Sequence, residues 1–163
     1  MPKQLLLLLT LLSLPLPGLA GSEADERGEI LDLMSRAFDA VASRNPDDMR
    51  AIQLAEGTSL SFRPHPNGKA GELEMRMSSN EALVASDVDD GRRFLERWTG
   101  EPVVMIRGPL AAVWGEYEFL IDGKFSHCGI DSVDVARVDG EWKIVNWSWT
   151  VEKEHCPTAP EGE

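Results

Sequence analysis

Three side chains in the C-terminal third of the chain could do acid–base or ligand-binding chemistry: His127, Asp131 and Tyr117. If they lie on extended strands, His127 and Asp131 point to one face with Gly129 between them. Four strand residues separate them by about 13 Å, which is too far for a direct hydrogen bond. We therefore expect the two to flank a ligand, with His127 as acid, base or hydrogen-bonding group and Tyr117 as a polar partner. The alternative is a structural polar cluster that satisfies itself and the backbone.

The turn at residues 122–123 decides which side chains join His127. A three-residue loop places Tyr117 and Phe119 on its face and turns Glu116 and Glu118 to solvent, whereas a two-residue loop reverses this. Burying two unpaired carboxylates costs several kcal/mol, so we predict the three-residue loop and count Phe119 among the ligand-binding residues. A histidine with the ordinary pKa of about 6.5 would make binding depend on pH between about 5 and 8.

Two helices in tandem are predicted to open the domain. Apolar residues recur at helical spacing from Ile30 to Val41, which predicts an amphipathic helix over about residues 23–44. Asn45 can cap a second, short helix that begins at Pro46 and ends before Gly57.

The middle of the chain is predicted to hold a hairpin followed by two helical stretches. Alternating runs surround Asn67-Gly68, and a two-residue turn there pairs Phe62 with Leu73. A capping box beginning at Ser78 predicts a short helix, and apolar spacing predicts another over residues 94–100.

The last third is predicted to be a β-meander. Gly-containing turns separate a short apolar run from three long alternating runs, at residues 103–106, 110–121, 125–138 and 142–151. Helices followed by a hairpin and long antiparallel strands indicate an α+β fold, with the helices packed on one face of a curved sheet.

Two pairs of apolar residues on the final strand are predicted to lie on opposite faces of the sheet, so something other than solvent must cover both faces. Trp142 and Ile144 are predicted to be core, which puts Trp147 and Trp149 on the opposite face. Either a second copy of the chain covers those two indoles, which would favour a homodimer, or they line a pocket. The sequence leaves both alternatives open.

The N-terminus predicts export. Lys3 and the apolar run of residues 5–14 resemble a secretory signal cleaved after Ala20, and the run is too short to span a membrane. We therefore expect a periplasmic or secreted protein with one domain over residues 21–156 and a flexible acidic tail, residues 157–163. The net charge of −12 argues against nucleic acid or anionic lipid as a partner.

In an oxidising compartment, Cys128 and Cys156 are expected to form a disulfide, with free thiols as the alternative. Two cysteines without CxxC spacing and three histidines do not make a zinc site. The acidic segment 87–91 does not match a calcium loop, because its glycine comes one residue early and Trp98 stands where a bidentate glutamate is needed. We expect no metal and no cofactor.

The segments 113–119, 122–131 and 140–144, with Thr150 and Cys156, resemble the NTF2-like superfamily. More narrowly, they are similar to exported bacterial members assigned to the nuclear transport factor 2 family or to lumazine-binding domains. The resemblance implies a cone: a bent sheet wrapped around N-terminal helices, with a pocket at the open end. That architecture serves many activities, so it does not determine the function.

Three functions from different classes follow. The first is an exported, noncatalytic pocket protein that binds a small organic ligand. The second is a lyase or isomerase of the ketosteroid-isomerase or dehydratase type, for which His127, Asp131 and Tyr117 are the candidate catalytic residues. The third is a protein-interaction module that uses the sheet face.

Overall fold

The computed structural model describes residues 23–154 and 156, so the predicted signal segment and acidic tail lie outside the described residues. No helix among the described residues is long and apolar enough to cross a membrane. The elements in chain order are α1 (Glu23–Ser43), α2 (Pro46–Ile52), β1 (Gln53–Pro64), β2 (Leu73–Ser79), α3 (Asn80–Ser86), β3 (Phe94–Trp98), β4 (Val103–Arg107), β5 (Leu110–Ile121), β6 (Lys124–Val138) and β7 (Glu141–Thr150).

The two N-terminal helices form where their residues predict them. The apolar stripe of α1 is buried along its length, including Ile30, Leu33 and Met34. Asn45 caps α2 as predicted, because its side chain accepts a hydrogen bond from the backbone N–H of Asp47. The second helix ends at Ile52, earlier than predicted, because the next residue begins β1.

The strands form one curved sheet wrapped on the helices, which confirms the predicted α+β cone. Its order is β2-β1-β7-β6-β5-β3, and β4 pairs with the other half of β5. Strands β1 and β7 are parallel, and the other described pairs are antiparallel. The parallel pair places the end of β1 beside the end of β7, which brings residues from both to one end of the sheet.

Two bulges set which side chains face the helices. The turns at residues 122–123 and 139–140 are two-residue turns with positive φ at both positions, so the predicted three-residue loop is wrong. An extra residue at Ser126 nevertheless shifts the register, so that Phe119 lies opposite His127 and Tyr117 opposite Gly129. The predicted facing of the two rings is therefore correct, for a different structural reason.

The burial of the two glutamates of β5 agrees only in part with the prediction. Glu116 is exposed, as expected. Glu118 lies on the same outer face but is buried, and Arg97 of the neighbouring β3 covers it and forms an ion pair with it. The pairing removes the cost that an unpaired buried carboxylate would carry.

Residues 94–98 form a strand rather than the predicted helix. Phe94, Glu96 and Trp98 also alternate with a period of two, and pairing with β5 selects that period. The pairing is non-local, so the local spacing alone did not reveal it.

The β1–β2 hairpin has a longer loop than predicted. Phe62 pairs with Met75 instead of Leu73, and the backbone N–H of His65 bonds to Glu72 across the loop. The following helix is capped by Ser79, one residue later than predicted.

The helices cover only part of the concave face of the sheet. In what we call the covered half, α1 packs on fully or almost fully buried aliphatic residues: Ala111, Val113, Val133, Val135 and Ile144. Trp142 also belongs to this core, as predicted. The remaining part of the concave face, which we call the open half, borders a cavity.

Candidate functional site

A cavity of about 660 Å³ occupies the open half. The C-terminal end of α1, the α2 and α3 helices, the β5–β6 hairpin and the segment after β7 enclose it. Six aromatic rings line it, counting the imidazole: Phe94, Tyr117, Phe119, His127, Trp147 and Trp149. This volume accommodates a small organic molecule, and the rings offer a largely apolar contact surface.

Trp147 and Trp149 line this cavity, which resolves the two alternatives left open by the sequence. A register shift in β7 between Ile144 and Asn146 changes the alternation, so both indoles share the concave face with Trp142. The prediction that they lie opposite Trp142 is wrong because of this bulge.

His127 sits between two other rings of the cavity. It stacks on Phe119 with ring centroids 4.8 Å apart and meets Tyr117 edge-on at 5.8 Å. Burial, followed by the charges of Arg63 and Lys153, lowers the pKa of His127 to about 4. The imidazole is therefore neutral between pH 5 and 8, and the pH dependence expected there for an ordinary histidine moves below that range.

Tyr117 is almost fully buried, and its hydroxyl donates to the backbone carbonyl of Thr150 at 2.6 Å. That carbonyl approaches because position 129 is glycine, where a Cβ atom would lie 2.1 Å from the Thr150 oxygen. The Thr150 hydroxyl accepts the N–H of Ile130 at 3.0 Å. Burial raises the pKa of Tyr117, so its hydroxyl stays protonated.

Asp131 does not line the cavity but lies behind it, with no exposed surface. The indole N–H of Trp147 donates to Asp131 Oδ1 at 2.9 Å. The carboxyl group of Glu96, which does line the cavity, is within hydrogen-bonding reach of Asp131. The structure thus brings Tyr117, Phe119 and His127 together at the cavity and connects Asp131 to it through Glu96.

Glu96 is a site residue that the sequence reasoning missed. Interpreting residues 94–100 as a helix hid it, whereas the alternation of Phe94, Glu96 and Trp98 is the signal that could have revealed an inward-facing carboxyl. The pair favours keeping a proton, because two neighbouring buried carboxylates would repel each other and Asp131 Oδ2 meets no donor among the described residues.

Burial raises the pKa of both Glu96 and Asp131, and their mutual repulsion raises that of Glu96 further. The Trp147 indole and the bond to Glu96 hold the pKa of Asp131 lower. Both shifts favour the protonated form, so the pair as a unit keeps a proton to a higher pH than two separate carboxyl groups would. The arrangement stores one proton beside the cavity, where a bound molecule could exchange it.

Arg44 holds the rim of the cavity together. Arg44 binds the loop after α3 through Asp87 at 2.6 Å and Asp90 at 2.5 Å, and its guanidinium lies 4.3 Å from the centre of the Phe94 ring. The acidic segment 87–91 thus partners an arginine.

Among residues 23–154 and 156, no group of three or more His, Cys, Asp or Glu side chains could hold a metal ion.

The predicted disulfide between Cys128 and Cys156 is present, with Cα atoms 5.7 Å apart. The chain after β7 folds back on β6, and Cys128 and Glu152 exchange both backbone hydrogen bonds. The bridge thereby fixes the segment that carries Val151 and Lys153 to the cavity wall.

Comparisons with known proteins identify the fold. No protein-family model and no curated protein match the chain. Among solved structures, it is similar to a nuclear transport factor 2 (NTF2-like) superfamily protein from Salmonella enterica serovar Typhimurium, at 13% identity, covering 87% of this chain and 100% of that one, with a TM-score of 0.64. A conserved protein from Planctomyces limnophilus is 15% identical, with 79% and 98% covered and a TM-score of 0.63.

An NTF2-like protein of unknown function from Shewanella baltica is 13% identical, with 83% of this chain and 100% of that one covered and a TM-score of 0.59. Identities this low show the fold alone, so the chain has the NTF2-like fold that its sequence resembles.

Proposed function

We propose that this protein binds a small, largely apolar organic molecule in the cavity and does not transform it. The observation that carries the proposal is a cavity of about 660 Å³ lined by six rings in a sheet whose other half is tightly packed. Aromatic surface of this extent is typical of ligand sites. The narrower resemblance to exported bacterial members and lumazine-binding domains, and the disulfide, support an exported binding protein.

Filling the cavity tests this proposal directly. Val41 lines the cavity from α1, and Val103 is exposed on β4 at the opposite surface of the sheet. N-phenylnaphthylamine, a neutral fluorescent probe, should bind the wild type and lose at least about tenfold in affinity with Val41→Trp, the equivalent of about 1.4 kcal/mol. The matched control Val103→Trp should bind as the wild type does. Equal affinity for all three proteins would overturn the proposal.

The lyase or isomerase alternative rests on the buried pair of Glu96 and Asp131 beside the cavity. A pair that holds one proton could deliver it to a bound molecule and take it back. Native mass spectrometry of the protein purified from its host would identify a retained molecule. Deuterium incorporation into that molecule in heavy water, by the wild type but not by Glu96→Gln, would favour this alternative over simple binding.

The interaction-module alternative rests on exposed apolar side chains on the convex face. Val103 and Trp114 form a cross-strand pair there, and Met105 and Leu110 extend the row. A second copy of the chain, which the sequence suggested as a cover for Trp147 and Trp149, is the partner to test at this row instead. Light scattering coupled to size exclusion should report a dimer for the wild type and a monomer for Trp114→Arg if this alternative holds.

A further inference from the structure

One cationic side chain in the cavity wall lacks a carboxylate partner. Arg63 reaches the cavity from the end of β1, and its Nη2 donates to Ser61 Oγ at 3.0 Å. Its Nε is buried and meets no acceptor among the described residues. The cross-strand neighbour Glu74 forms its ion pair with Arg76 instead, at 3.0 Å.

Arg44 lines the same cavity and differs from Arg63 in its charge pairing, although its Nε is likewise buried without an acceptor among the described residues. Its guanidinium is neutralised by Asp87 and Asp90 and also donates to the backbone carbonyl of Val88. The two arginines line one cavity, but only Arg63 is left with its charge uncompensated by a close carboxylate.

The charges around Arg63 make this end of the cavity electropositive. Lys153 also lines it, and both cations act to lower the pKa of His127. Burial and the neighbouring Arg76 lower the pKa of Arg63 itself, while Glu74 opposes them. A partly buried guanidinium without a counter-ion costs free energy, which an anion arriving from outside would offset. This is unexpected in a chain with a net charge of −12, whose surface repels anions over most of its area.

We propose that the ligand is an organic monoanion whose carboxylate or similar group is received by Arg63, with its apolar body among the rings of the cavity. This inference rests on the proposed binding function and specifies the class of ligand. A guanidinium with its Nε–H unused can bind an oxyanion in a fork, and the more exposed Lys153 adds a second positive charge. Neutral His127 beside it offers one further hydrogen-bonding group.

Two probes that share one aromatic body separate the charge from the apolar contact. Anilinonaphthalene sulfonate carries a single negative charge, and N-phenylnaphthylamine has the same rings without it. In Arg63→Gln, the affinity for the sulfonate should fall at least about tenfold, while that for the neutral probe changes less than about threefold. Added salt should weaken binding of the sulfonate to the wild type and leave the neutral probe unaffected.

The control is Arg107→Gln, which removes the same charge from an exposed position on β4. It should leave the ratio of the two affinities unchanged. Thermal unfolding of Arg63→Gln should stay within a few degrees of the wild type, since the variant loses the hydrogen bond to Ser61 but no ion pair among the described residues. If Arg63→Gln leaves the ratio of the two probe affinities unchanged, the anion assignment is wrong and the binding function stands. If neither probe binds the wild type, the binding function fails as well.

Discussion

The concave face of the sheet is built from the same strands at both ends, yet its two halves differ in almost every property. In the covered half, β5, β6 and β7 present aliphatic side chains that α1 buries completely. In the open half, the same strands present Tyr117, His127 and Trp147 to a cavity. The two halves differ because α1 covers only one of them. Beyond the end of α1, polar side chains on the strands need hydrogen-bond or ion-pair partners of their own.

The polar groups of the open half are satisfied by specific partners rather than by solvent. Tyr117 bonds to an inward carbonyl, Asp131 to an indole and to Glu96, and Arg44 to the acidic loop. Arg63 differs from Arg44 because no carboxylate in the described part of the chain forms an ion pair with it, and the ligand proposal rests on that difference. In this protein the candidate binding site is the part of the concave face that the helices leave uncovered.

The largest effect should come from truncating the covered half. Met34 on α1 is fully buried, whereas Met49 on α2 lines the cavity. Met34→Ala should lower the free energy of unfolding by about 2–5 kcal/mol, because it leaves a void in close packing. Met49→Ala should cost less than about 1 kcal/mol, because it enlarges an existing space. Urea unfolding measures both, and equal losses would remove the distinction between the halves.

Removing the disulfide should have the next largest effect. Replacing Cys128 and Cys156 by alanine releases a closed loop spanning 28 residues and should cost about 3.6 kcal/mol in the chain-entropy model. The cavity wall at Val151 should loosen with it, so N-phenylnaphthylamine should also bind more weakly. The difference in unfolding free energy between wild type and variant should vanish in reductant. A variant as stable as the oxidised wild type would contradict the structure.

The buried acid pair should make stability fall as pH rises. The unfolded chain releases the proton of Glu96 near pH 4, and the folded chain holds it to higher pH, so the stabilisation is full below pH 4 and is lost as pH rises through the raised pKa. Glu96→Gln should gain stability relative to the wild type at pH 8, by about 1.4 kcal/mol for each unit of difference in pKa. The exposed control Glu116→Gln should not gain stability at pH 8. If the unfolding free energies of the two variants depend on pH in the same way, the proton shared by Glu96 and Asp131 is refuted.

Burial of His127 should change stability with pH by a smaller amount and in the opposite direction, so that stability falls as pH falls. Its pKa of about 4 lies below that of an unfolded histidine, so the unfolded chain binds the proton first and stability is lost as pH falls from about 6.5 towards 4. His127→Gln should reduce this acid sensitivity by about 1 kcal/mol, allowing for screening of a half-buried ring. The exposed His65→Gln serves as the control, and identical acid unfolding of wild type and His127→Gln would show that the ring is not buried.

The covered half could be predicted from the sequence because its signals are local. The helical spacing from Ile30 to Val41 and the alternation along β5, β6 and β7 determine that packing, and each pattern lies within one element. The disulfide could also be predicted from the sequence, since two cysteines in an exported chain favour a bridge.

The open half was predicted only in part because single-residue shifts govern it. The extra residues at Ser126 and near Val145 reverse the facing of everything beyond them, and no local residue pattern marks either position. The parallel pairing of β1 with β7, which brings Arg63 towards Thr150, joins segments far apart in the chain. Glu96 was missed for a related reason, because its strand forms only by pairing with β5.

The five tryptophans can show directly whether a small organic molecule binds in the open half. Their indole N–H signals in a nitrogen–proton correlation spectrum report separately on the cavity, the covered half and the convex face. On addition of N-phenylnaphthylamine, the signals of Trp147 and Trp149 should shift, while those of Trp142 in the covered half and Trp114 on the convex face stay in place. Shifts at Trp114 with Trp147 and Trp149 unmoved would contradict binding in the cavity and place it on the outer face of the sheet.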